Sequence, residues 1–388
     1  MKIYCFLLSL FFLVGTPCAE LAAQEAMYGI AMPLEVTGGI LDTGRAQADD
    51  PSAPWFTAGF HVLAEPELKL GPHWYAYSAV QVRSTPFFYQ DAYDADREIK
   101  TDLLQGFVGY TRSWGKATVN FKAGKLSSAF GSFPLQYTDT ANALLDQPLP
   151  YTYLDPAPGS GESYGLTPVT LYGLPGAEID LSWHRLDARF QLTNSSPYNP
   201  RGLFDSGQHP QWTAGGGYTI RQGFRVGMSA YRGPWLDNQL VSGFPQGLGA
   251  TDFPATGLGA DVQWARGYWS ASGEWDRFIF DYPNYTVAPA LSFGYVELKR
   301  IINPRWYAAL RTGYQTDNHP VYWNVRSTST FLPNRQAYEF ALGFRPNRRM
   351  LVKAGYEWMN VAAGRRGEDN VLGVQFITSI NSLSKAFK

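Results

Sequence analysis

Between Trp55 and Thr378 the chain runs as short segments in which apolar and polar positions alternate. Ala117, Val119, Phe121 and Ala123 are separated by Thr118, Asn120 and Lys122. Ile179, Leu181 and Trp183 alternate with Asp180 and Ser182, and Leu186, Ala188, Phe190 and Leu192 with Asp187, Arg189, Gln191 and Thr193. A period of two puts one set of side chains on each face of a β-strand. One face is apolar and the other charged. A soluble sandwich would bury the apolar faces against each other, whereas a membrane barrel turns them toward lipid and keeps the polar faces around water.

Tight turns punctuate these segments near Gly71-Pro72, Trp114-Gly115, Arg185, Gln222-Gly223, Arg266-Gly267, Asn303-Pro304 and Pro346-Asn347. Their spacing is about 37 or 44 residues, apart from one gap of about 70. A strand on each side of seven turns makes fourteen, and a first strand near Tyr28–Leu41 with a last near Val371–Thr378 makes sixteen. The predicted fold class is all-β, a closed antiparallel transmembrane β-barrel of about sixteen strands. The hairpins are joined by long polar connections over Ser84–Thr101, Leu126–Pro175, Ser195–Gln211, Gly233–Ala255, Ile279–Pro289, Thr316–Asn334 and Asn360–Glu368. Short turns at one end and long loops at the other match the periplasmic and extracellular ends of such a barrel. Trp74, Trp114, Trp269 and Trp306 fall beside short turns, where an aromatic belt would meet the membrane interface. Val119, Phe121, Leu181, Phe190, Val226, Val262, Phe340 and Val352 are the expected lipid-facing positions.

The first residues read as an export signal: Lys2, an apolar stretch Ile3–Val14 too short to span a bilayer as a helix, then small residues with cleavage expected near Ala23, or alternatively at Ala19. The expected division is a signal peptide over 1–23 and one barrel domain over 24–388. Both cysteines, Cys5 and Cys18, lie in the signal, so the remainder offers no zinc–thiolate site and no cysteine nucleophile. No metal or cofactor is expected. The formal net charge of -1 gives no reason to expect nucleic acid as a partner. Aromatics at 15% and 39 glycines suit interfaces and tight bends.

Alternation assigns inward acids: Glu65, Glu178, Asp180, Asp187, Asp261, Glu274, Asp276, Glu297, Glu339 and Glu357. It also assigns inward bases: Arg83, Lys122, Arg189, Arg221, Arg225, Lys299, Arg311 and Lys353. The registers over 102–112 and 291–300 do not follow from alternation alone. So many charges in a dry core would each cost several kcal/mol. Sixteen strands enclose a bore too wide for side chains to fill, which favours a water-filled lumen. The connection Leu126–Pro175 is long enough to fold into that lumen. It holds Asp139, Asp146, Asp155 and Glu162 and no Lys or Arg. Those four acids are the candidate pore-constriction residues, with Lys122, Arg189 and Arg225 as an opposing basic wall. Four carboxylates at an aperture would favour cations weakly.

One stretch resembles a known family. Gly124-Lys125-Leu126, then Phe130-Gly131, then Leu145-Asp146-Gln147-Pro148-Leu149 is similar to the entry of the third loop in the phosphate-selective porins. The match covers about thirty residues, and the hairpin layout agrees along the whole barrel domain. The resemblance implies a sixteen-stranded channel in the outer membrane of a Gram-negative-type bacterium, assembled as a homotrimer. Phosphate selectivity does not follow, because the third connection lacks the bases that line that family's constriction. The chain also departs from the family in ending on Phe387-Lys388 rather than on an aromatic residue.

No H-E-x-x-H, G-x-S-x-G or P-loop pattern occurs, and His209 and His319 lie in outer loops near Asp205 and Asp317, a common loop composition. An enzyme is not expected. The function expected is passive diffusion of small hydrophilic solutes or ions through a lipid-embedded barrel narrowed by residues 126–175. The alternative is a structural or adhesive barrel with a closed lumen, using aromatic loops such as Phe87-Phe88-Tyr89 or Tyr282–Tyr285.

Overall fold

Alternation becomes one continuous antiparallel ladder. The computed structural model describes residues 28–42, 52, 54–85, 98–136, 138–152, 167–194, 210–235, 247–281, 288, 290–317, 320–323, 327–330, 334–362 and 370–387. The expected signal segment, Asp155, Glu162 and the aromatic runs at 87–89 and 282–285 lie outside the described residues.

The strands are β1 (Tyr28–Asp42), β2 (Phe56–Ala64), β3 (Glu67–Leu70), β4 (Trp74–Ser84), β5 (Ile99–Trp114) and β6 (Ala117–Ser127). After the third connection come β7 (Tyr172–Trp183), β8 (Leu186–Thr193), β9 (Gln211–Arg221), β10 (Phe224–Pro234), β11 (Pro254–Arg266) and β12 (Trp269–Phe280). Then follow β13 (Ala290–Asn303), β14 (Trp306–Asp317), a small separate hairpin β15 (Pro320–Trp323) and β16 (Ser327–Thr330), and finally β17 (Arg335–Phe344), β18 (Met350–Val361) and β19 (Val371–Phe387). Seventeen segments share one sheet. β2 and β3 both pair with β1 and with β4, so they are two halves of one strand and the wall has sixteen. The break falls at Glu65-Pro66, where proline has no N–H to give the ladder. Opposite it, Glu65 N donates to Pro33 O, and the β1–β19 register slips between Met32 and Pro33.

β1 pairs with β19, and this closes the barrel. Closure gives every wall strand two partners, so no backbone edge faces lipid. Tyr28 lies opposite both Phe387 and Leu70, which brings both ends of the sheet to the short-turn end. All seven expected turns are present. Two boundaries differ from expectation. β19 runs to Phe387 rather than fading near Thr378, because the ladder against β1 is made by backbone and continues past the point where alternation stops. β7 begins at Tyr172, ahead of the expected Pro175. A register slip in the β4–β5 pairing at Ala79/Val80 leaves both Leu104 and Gln105 buried, which is why alternation alone could not phase 102–112.

The eight expected outward positions carry their side chains on the outer face; Phe121, Phe190 and Phe340 are 45–48% exposed. Their alternation partners Glu178, Asp180, Asp261, Glu339 and Lys353 are buried on the inner face. A hydrophobic surface around a charged interior is the inverse of a soluble core, and it fits a surrounding bilayer.

Candidate functional site in the lumen

The inner wall holds bases clasped between two acids. Lys122 on β6 lies 2.7 Å from Glu178 and 2.8 Å from Asp180 on β7. Arg225 on β10 lies 2.6 Å from Asp187 on β8 and 2.8 Å from Asp261 on β11. Arg311 on β14 lies 2.9 Å from Glu297 on β13 and 3.1 Å from Glu339 on β17. Register explains the third group: Glu297, Arg311 and Glu339 are directly opposite one another across three strands. Gly217 makes room for the second, because a Cβ there would collide with the Arg225 guanidinium. Each group carries a formal excess of one negative charge.

Across this wall lies the described part of the third connection. Arg189 on β8 donates to Gly131 O at 3.1 Å, and Gln191 donates to Ser127 O at 2.7 Å. Glu274 on β12 accepts from Ser132 N and Oγ, each at 3.2 Å, and from the Tyr151 hydroxyl. The Tyr231 hydroxyl on β10 donates to Pro168 O. Farther round the barrel, Glu35 on β1 accepts from Asp139 N and Thr140 N at 2.9 and 3.1 Å. Glu339 accepts from Leu145 N and Asp146 N at 2.6 and 2.9 Å. Arg311 donates to Asp146 O, Tyr307 to Ala143 O, and Lys353 on β18 to three loop carbonyls. The segment therefore reaches β1, β8, β10, β12, β14, β17 and β18. Wall strands on both sides of the bore hold it.

Apolar packing fixes one side. Phe130, Phe133, Leu149 and Tyr151 of the connection join Tyr231, Phe278, Phe280, Phe293 and Tyr295 of the wall in one buried cluster. Phe130 meets Tyr231 edge-on at 5.4 Å and Phe278 at 5.6 Å. Such pairs are worth about 0.5–1.5 kcal/mol each beyond their buried area. Gly131 permits the approach: its φ is +71°, and a Cβ there would collide with the Tyr151 hydroxyl and the Glu274 carboxylate.

The expected site residues separate into three groups. Lys122, Arg189 and Arg225 lie on the inner wall over β6, β8 and β10, and Lys122 and Arg225 are each neutralised by two carboxylates. Asp139 and Asp146 are buried at the loop–wall junction. Asp139 is 0% exposed; one oxygen accepts from Thr37 Oγ1 at 2.6 Å and lies 2.9 Å from His61 Nδ1. Burial alone would raise its carboxyl; the hydrogen bond and charge of His61, with Lys353 behind it, overcome that and hold it at about 2. Asp146 accepts from Gln147 N of the same loop. Asp155 and Glu162 lie outside the described residues. Sequence reading missed Glu35, Thr37 and His61 as loop anchors. The available signal was their inward parity on two strands otherwise apolar or small on that face.

The fold is that of a Gram-negative outer-membrane barrel. Solved structures similar to it include Salmonella typhi OmpF in complex with daunomycin, with a TM-score of 0.57 and 11% identity over 90% of this chain and 97% of that one. Pseudomonas putida OprB gives 0.56 and 14% identity over 91% and 94%. The outer membrane channel DcaP of Acinetobacter baumannii gives 0.51 and 12% over 95% and 100%. At these identities the likeness is one of fold. No protein-family model matches the chain, and no curated protein matches it in sequence.

Proposed function

We propose that the protein is a porin-like channel in the outer membrane of a Gram-negative-type bacterium, passing small hydrophilic solutes by diffusion, without catalysis. Residues 126–175 form its constriction, and it assembles as a homotrimer. The observation that carries this reading is a charged inner wall with a loop drawn across the bore and hydrogen-bonded to both sides of it. Beside the buried Arg225, Asp187 keeps a third of its side chain exposed on the inner face, so the wall presents charge to the bore. In this reading the aperture takes its charge from Lys122, Arg189, Arg225 and their carboxylates, and Asp139 and Asp146 hold the loop. The formal negative excess of the wall makes the channel weakly cation-preferring. The resemblance to phosphate-selective porins fits the loop's path, not a phosphate filter.

A second reading, a closed structural barrel, is favoured by the aromatic cluster that fills one side of the lumen. Planar-bilayer recording decides between them. Stepwise ion conductance from purified, folded protein supports the channel, and silence from protein shown to be inserted supports the closed barrel.

A further inference from the structure

The seven short turns of the barrel carry charge of one sign. Taking each of the seven turns with one residue on either side, the chain holds Lys116, Arg185, Arg221, Arg266 and Arg305, then Arg345, Arg348 and Arg349 around the last turn, and no Asp or Glu. The third connection, at the other end, has four acids and no base. The basic end also bears the aromatic belt: Trp74, Trp114, Trp183, Trp269 and Trp306 are 39–54% exposed beside these turns.

Two arginines stand one step further into the wall, and on the lipid side. Arg112 on β5 is opposite Val119, and Arg300 on β13 is opposite Trp269, both in the outward-facing columns. The Arg112 guanidinium lies 5.0 Å over the Trp114 ring, and that of Arg300 lies 4.9 Å over the Trp269 ring. Among the described residues neither takes part in an ion pair. Each pair has a second base beside it in the adjoining turn, Lys116 in one case and Arg266 in the other.

An outward guanidinium without a carboxylate is costly in hydrocarbon but tolerated at the interface. Stacking on an indole fixes its depth at the level where tryptophan sits, between acyl chains and headgroups. The counter-ion met at that depth is a lipid phosphate, whose oxygens match the planar donor fork of arginine. Basic groups clustered at one membrane surface add attraction for anionic lipid that reaches about a Debye length.

We propose that Arg112 with Trp114, and Arg300 with Trp269, are two headgroup clamps for anionic phospholipid in the leaflet at the short-turn end, with the turn bases drawing such lipid to them. This rests on the reading of the barrel as an outer-membrane protein but not on its being open. Folded protein in neutral detergent, titrated with phosphatidylglycerol or phosphatidylcholine and examined by native mass spectrometry, tests it. Phosphatidylglycerol is expected to be retained several-fold more than phosphatidylcholine. The Arg112→Gln/Arg300→Gln double variant is expected to lose most of that difference while keeping the conductance of the parent. Should the variant fail to fold, quenching of wild-type tryptophan fluorescence by brominated phosphatidylglycerol, stronger than by brominated phosphatidylcholine, is the supporting result. Equal retention of the two lipids, a double variant that retains phosphatidylglycerol as the parent does, or equal quenching overturns the proposal. Lipid preference without conductance would keep the clamps and remove the channel. Conductance without lipid preference would do the reverse.

Discussion

Lys353 reaches from β18 into the lumen and donates to the backbone carbonyl of Asp139 at 2.9 Å, with no part of its side chain exposed. The same ammonium donates to Leu144 O at 2.9 Å and Asn142 O at 3.3 Å. One wall residue thus gathers three carbonyls of the crossing segment, and its charge lies close enough to the Asp139 carboxylate to help keep it ionised.

Lys353→Met should free that end of the loop. Hydrogen bonds to a charged donor are worth about 1.5–3 kcal/mol each, and removing the donor leaves buried carbonyls unsatisfied. We expect the barrel to fold and the segment near 139–146 to become open to protease from the outer side, with a larger or noisier unit conductance. Protease resistance and conductance equal to the parent would show that the loop is seated without Lys353.

Acid should loosen the same seat. The Asp139 carboxyl is held near 2 in the folded protein, below the roughly 3.9 of an unperturbed aspartate. A depressed value contributes stability that is complete above the unfolded value and is lost as pH falls through the folded one. The share of loop protection that Asp139 supplies should therefore decline as pH falls from about 4 toward 2. Asp139→Asn should remove that acid step. A step that persists in the variant would assign it to another group.

The barrel was legible because its signal is repeated. Seven turns and their flanking alternation each report the same hairpin, so an error in one strand, such as the slipped register at Ala79/Val80, leaves the strand count intact. The seat of the third connection was legible only as a path. Its length and its Phe130-Gly131 and Leu145–Leu149 segments point inward, but the orientation of Asp139 depends on Thr37 and His61, 102 and 78 residues earlier in the chain. No periodicity carries that information. Parity places the bases on the inner wall, yet it does not say that Lys122, Arg225 and Arg311 each have two acids within reach. That follows from cross-strand register, which fixed the Glu297–Arg311–Glu339 row and which single-strand patterns do not contain.

The lipid face should reject charge where the lumen face accepts it. Val262, in the middle of β11, is 41% exposed on the outer side, and Gln263 beside it faces inward. Val262→Arg should cost about 2–4 kcal/mol if it lies near the bilayer midplane, and Gln263→Arg much less. Denaturant titration of folding into lipid vesicles gives both values. Equal costs would remove the membrane-facing assignment of this strand.

Selectivity should follow the wall. Lys122 sits between Glu178 and Asp180, and Arg225 between Asp187 and Asp261, all within 2.8 Å. At physiological salt, charges separated by more than about 8–10 Å are largely screened, so only groups lining the narrow passage can bias ions. Lys122→Gln and Arg225→Gln each remove the base from a pair of acids and should strengthen cation preference. Asp187→Asn should weaken it. Asp139→Asn and Asp146→Asn should leave selectivity nearly unchanged while altering loop anchorage, because both side chains are buried at the junction of loop and wall. Reversal potentials in a salt gradient read all five variants against the parent. A shift with Asp139→Asn or Asp146→Asn larger than that with Arg225→Gln would return the aperture charge to the loop. A parent channel that prefers anions would rule out the wall as the source of selectivity.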